Sequence, residues 1–279
     1  MMSEFIDVLI SQSFMQHAVF IGILASVACG VMGTYVVVRR IVFISGGIAH
    51  SVLGGMGVAY YYGHNPIYGA VVSAILAALI IGFVSLQYHQ HEDTLIGALW
   101  AVGMAVGILF IYKTPGYNVD LMSYLFGNIL MVKKESLQLL AVLDVVIILA
   151  VVFFYKRFLA VCFDEEYSQL QGIGVVSTYL LLLCLIALTV VILIQVVGII
   201  LVIALLTLPA ATARYYARSL GQMMILASLL GAVFTTAGLV ASYRPDLPAG
   251  ATIIVIAGIA YLAATVLKGL ASRFHRSEE

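Results

Sequence analysis

Charge is what this sequence carries least of. Asp, Glu, Lys and Arg make up 9% of its 279 residues, where a soluble globular domain carries roughly 25%. With 63% of the residues hydrophobic, a solvated globule is excluded and a polytopic membrane protein is expected. The 13 basic and 13 acidic residues cancel. No basic patch therefore argues for nucleic acid, and no long run of like charge argues for a disordered arm. Cysteine is sparse as well. Cys29, Cys162 and Cys184 lie far apart, without C-x-x-C spacing and mostly in apolar runs, which fits buried thiols better than a disulfide framework. Also missing are G-x-x-x-x-G-K-S/T, H-E-x-x-H and G-x-S-x-G. Any ATP chemistry must then reside on another polypeptide, and an intramembrane enzyme finds no support. The first residues, MMSEFIDVLISQSF, are acidic rather than positively charged, and read as a short amphipathic lead-in instead of a cleaved signal. No internal repeat and no soluble domain is visible, so residues 1–279 are expected to form a single transmembrane domain.

Long apolar runs are what the chain has in abundance. A span needs about 20 apolar residues, and candidates run over 16–38, 41–62, 67–86, 94–112, 136–155, 221–242 and 251–267. A longer apolar stretch from Val175 is divided in two at Gln195 and Gly198. The expectation is an all-α bundle of about eight or nine transmembrane helices. Arg39-Arg40, Lys156-Arg157, Arg214, Arg218 and Lys268 mark cytoplasmic ends, and Tyr60-Tyr61-Tyr62 an aromatic belt on the outer side. His89 and His91, in the loop H-Q-H-E-D, are open to a metal or to an ordinary solvated role. Residues 118–132 are too polar for a confident span. They read as a short re-entrant or half helix, allowed at membrane depth only where it is buried or lines a cavity. Asp144 falls inside the span at 136–155 and is costly there unless neutral or paired. The one sizeable cytoplasmic stretch with both charge and helical pattern covers 156–174, with Asp164 as cap and Gly172 as stop.

The stretch RRIVFISGGIAHSVLGGMG, 39–57, places a lone histidine in a segment fit to cross a bilayer. On a helix the spacing stacks Gly46, His50 and Gly54 on one stripe and Gly47, Ser51 and Gly55 on the next. Small residues let helices approach closely, and a polar ring facing lipid is costly, so His50 should face a partner helix or a water-filled path. It is then either a metal ligand or a ring that fills space in a tight helix pair.

Four stretches, in their order and spacing, carry a family likeness. RRIVFISGGIAHSVLGG at 39–55, NVDLMSYLFGNIL at 118–130, FDEEYSQLQGIG at 163–174 and VGIILVIALLTLPAATARYYA at 197–217 resemble the membrane subunit of the metal-uptake ABC importers, the zinc and manganese permease family. The resemblance implies a permease that takes up a divalent metal ion, zinc ahead of manganese or iron, as cargo and with no permanently bound cofactor. It implies a homodimer with the pore between two copies, separate ABC ATPase subunits, an extracytoplasmic metal-binding protein, and residence in a prokaryotic cytoplasmic membrane. It makes His50 the main metal candidate and Gly46, Ser51 and Gly54 pore-lining. Phe163, Asp164, Glu165, Glu166, Tyr167 and Gly172 become the coupling element for the ATPase. One departure stands out: the family commonly has an aspartate four residues before the histidine, where this chain has Gly46. Its loss tilts the donor set toward zinc, which imidazole suits, and leaves Asp120 and Asp144 as candidates for the missing acid. The alternatives are a siderophore or cobalamin-type permease, which needs no intramembrane histidine, and an ion-coupled secondary transporter, for which paired broken helices are lacking.

Overall fold

The structure is a computed structural model and describes residues 8–87, 92–115, 127, 129, 134–243 and 245–276. Among the described residues every regular element is a helix: α1 (Ser13–Val38), α2 (Val42–Tyr61), α3 (Pro66–Gln87), α4 (Glu92–Lys113), α5 (Lys134–Phe163), α6 (Glu165–Leu170), α7 (Val175–Val197), α8 (Ile199–Arg214), α9 (Leu220–Tyr243) and α10 (Ala249–Arg276). Eight of these helices are long and apolar enough to cross a membrane, so the chain is an all-α, multi-pass membrane protein. Helix is the solution because a segment in lipid must satisfy its own backbone donors and acceptors.

Local chemistry sets the boundaries. α3 begins with Pro66, whose fixed φ and missing donor suit a first helical position, and the Asn65 side chain accepts from Ile67 N–H at 3.0 Å. α9 begins after Ser219, whose hydroxyl accepts from Gln222 N–H at 3.2 Å. α7 and α8 part at Gly198, which sits at φ 82° and ψ 162°, a region essentially reserved for glycine. α8 is then only 16 residues long, and it is the one part of the expected nine-span count that falls short of a full span. α5 runs through Lys156 and Arg157 to Phe163 rather than ending at Tyr155. Phe158 and Val161 are buried, which draws the helix onward and shortens the expected loop of 156–174 to the part after Phe163. Of the half helix expected over 118–132, only Gly127 and Ile129 fall among the described residues.

The chain divides into two compact units. One comprises 1–37, 126–144 and 196–279; the other 38–125 and 145–195. Each interleaves distant stretches, so neither can be cut out of the sequence. In the first, α1 meets α8 where Gly33 lies against the Leu206 carbonyl, and meets α9 where Gly30 lies against Ser228. In the second, α2 is held between α3 and α4, and its middle, from Ile44 to Gly54, is buried without a break. Its contact with α4 runs backbone to backbone. A Cβ at Gly54 would lie 2.8 Å from the Gly103 carbonyl oxygen, and one at Gly57 would lie 2.6 Å from that of Gly107. Only small residues permit this approach, and it fixes the register of α4 on the helix that carries His50.

A buried histidine, a buried carboxylate and a capped short helix

His50 sits in the middle of α2, buried, 9% exposed. Its ring stacks on Trp100 of α4, with centroids 4.0 Å apart and planes 13° from parallel. The ring nitrogens make no hydrogen bond to any described residue, so a lone pair remains free to take an ion. Gly46, one turn earlier, also faces Trp100, and a Cβ there would lie 3.3 Å from indole Cζ3. Ser51 donates to the Ile48 carbonyl at 2.8 Å, and its Cα would lie 2.6 Å from a Cβ at Gly103. Within one chain, then, Gly46, Ser51 and Gly54 all meet α4. Small side chains there admit the close approach of that helix.

Asp144, on α5, is 5% exposed, and neither carboxylate oxygen has a hydrogen-bond partner among the described residues. It lies in the other compact unit from His50. Asp120, His89 and His91 lie outside the described residues. Among those described, no group of three or more His, Cys, Asp or Glu is placed to hold a metal.

The third candidate region is α6. Asp164 takes an extended conformation (φ −152°, ψ 103°) and its side chain accepts from Tyr167 N–H at 2.8 Å. Glu165 and Glu166 in the first turn complement the helix dipole. At the other end Gly172 takes φ 73°, and Ile173 N–H donates to the Ser168 carbonyl at 3.0 Å, which closes the helix. Phe163 at the end of α5 and Tyr167 and Leu170 on α6 stand exposed, at 68, 56 and 86%, an apolar trio around the charged first turn of α6. Arg39 ties this helix down. It donates to the Val161 carbonyl at 3.1 Å, pairs with Glu165, and lies 5.0 Å from the centre of the Tyr179 ring. Burial works against its charge, yet the Glu165 carboxylate more than offsets this, and the guanidinium holds its proton more tightly than an ordinary arginine.

These features sit in a chain whose residues 11–268 match the profile of the ABC 3 transport family. The chain belongs to that family. Among relatives of this ABC 3 chain, a protein of Chlamydia trachomatis described as a probable metal transport system membrane protein is 43% identical over 250 residues, 88% of this chain and 85% of the relative. The manganese transport system membrane protein MntC of Halalkalibacterium halodurans is 34% identical over 277 residues, 98% of this chain and 95% of the relative. Among solved structures, PsaBC from Streptococcus pneumoniae in complex with Fab superposes with a TM-score of 0.85 at 33% identity and 95% coverage of both chains. Two contributors in this family member escape a sequence reading. Trp100 lies 50 residues from His50 in the chain, and Arg39 reads as a membrane anchor. No local pattern joins either residue to its partner.

Proposed function

We propose that this chain is the permease subunit of an importer that carries a divalent transition-metal ion across the cytoplasmic membrane, driven by ATP hydrolysed on a separate subunit. One observation carries the reading: a buried histidine in the middle of a membrane-spanning helix, its ring nitrogens without a hydrogen bond among the described residues, in a chain of a transport family. Intramembrane ionisable groups are costly and mark substrate paths, and imidazole is a ligand for zinc, copper, iron and nickel ions. A permease for bulky chelates has no use for it. The metal-transport descriptions of the relatives support the same cargo class.

Manganese is the ion in the names of several relatives at 34–35% identity. Zinc is the second reading, favoured by a specific feature: Gly46 replaces an acid, and an imidazole without a carboxylate suits zinc better than manganese. Asp120 is the carboxylate that a fuller shell would draw on, and Asp144 is tested separately. The proposed partners are an ABC ATPase subunit docking at Phe163, Asp164, Glu165, Glu166, Tyr167 and Gly172, an extracytoplasmic metal-binding protein, and a second permease copy. The test is uptake into liposomes that hold the permease, its ATPase and its binding protein, with zinc, manganese and iron compared. Uptake of at least one ion, lost in His50→Ala with the complex intact, is the expected result. Equal transport by His50→Ala removes the histidine from the site.

A further inference from the structure

The only tryptophan of the chain lies against the two positions of α2, Gly46 and His50, that an acid-plus-imidazole pair would occupy. We propose that Trp100 is a positioning residue of the metal site: its indole holds the plane of the His50 imidazole and fills the space beside Gly46 from which a carboxylate would reach the ion. This rests on the reading of His50 as a ligand.

A metal ion binds imidazole in the plane of the ring, along a nitrogen lone pair. A group stacked on the ring face aims that lone pair without competing for it. Trp100 meets the requirement, at 4.0 Å between centroids and 13° between planes. The six-membered edge of the same indole covers Gly46, where a Cβ would lie 3.3 Å from Cζ3 and 4.0 Å from Cε3 and Cη2. Trp100 cannot slide away along α2. One turn before it, Ile96 presses on Gly47, where a Cβ would lie 2.7 Å from its Cγ2, and three residues after it Gly103 meets the backbone of Ser51. A tryptophan at 100 and a glycine at 46 are therefore one feature built from two helices. Groups that orient a ligating histidine matter nearly as much as the ligand itself.

The test uses the full permease in lipid nanodiscs, titrated with zinc and separately with manganese, with direct equilibrium binding and Trp100 emission as readouts. Metal is expected to change the emission saturably in the native chain and not in His50→Ala. Trp100→Leu should weaken binding about tenfold at an unchanged melting temperature, while Trp100→Phe, which still stacks, stays within about threefold. Native affinity in Trp100→Leu, or a Trp100→Phe as weak as Trp100→Leu, overturns the proposal. So does an emission that ignores a bound ion, which also decides the matter if Trp100→Leu does not fold. Loss of binding in His50→Ala beside native binding in Trp100→Leu sinks this proposal alone. Native binding in His50→Ala sinks the reading beneath it.

Discussion

At position 50 a single imidazole sits in a helix whose middle is buried without a break, so substitutions there separate ligation from packing. His50→Phe preserves bulk and the capacity to stack on Trp100, and removes the lone pairs. It is expected to abolish uptake while expression and ATPase binding persist; transport at the native rate would make the ring a space filler. Asp144 allows a complementary test. An unpartnered charge at membrane depth costs about 2.5 to 3.5 kcal/mol on insertion scales, and its oxygens make no described bond that asparagine would lose. Asp144→Asn should therefore melt no lower than the native chain. A lower melting temperature would reveal a structural partner, and lost uptake at unchanged stability would assign the carboxylate to transport. His50 was legible in the sequence, because an ionisable group in an apolar run stands out. Trp100 was not, because stacking depends on which helix packs against α2.

α6 shows an element written almost wholly in local sequence. Asp164 as cap and Gly172 as stop are short-range chemistry, and both take those roles. Asp164→Ala should cost about 1 kcal/mol of helix stability. Replacing Asp164–Tyr167 by glycine and serine should release the ATPase while the membrane helices stay folded, as read by co-purification. Normal co-purification would move the docking site elsewhere. Where α5 ends was less legible. Lys156 and Arg157 look like the close of a span, yet the helix continues because Phe158 and Val161 find a buried place. The contact of α2 with α4 was foreseen only as a capacity of small residues. Gly103→Val, which drives a side chain into the backbone of Ser51, is expected to destabilise by about 1 to 3 kcal/mol or more, measurable as a lower melting temperature in detergent.

At the scale of the whole molecule the open quantity is how the chain threads the bilayer. α8, at 16 residues, spans about 24 Å at 1.5 Å per residue, short of a hydrocarbon core of about 30 Å. By the positive-inside rule, the basic residues at Lys156-Arg157 and at Arg214 and Arg218 lead one to expect both ends of the 175–214 stretch on the cytoplasmic side. Single cysteines at Gly172 and Tyr216 should then react with an impermeant thiol reagent from the same side, and labelling from opposite sides would show that α8 does not return. Composition and hydropathy by themselves determined the class, the approximate helix count, the break at Gly198 and the histidine worth testing. These follow from what a backbone must do in lipid and from what a charge costs there, both local in origin. Tertiary structure decided that Trp100 stacks on His50, that Arg39 holds α6, and that Gly46, Ser51 and Gly54 are taken up by α4. Each of these joins residues far apart in the chain, and side-chain periodicity says which face of a helix is small or polar but never which neighbour will meet it.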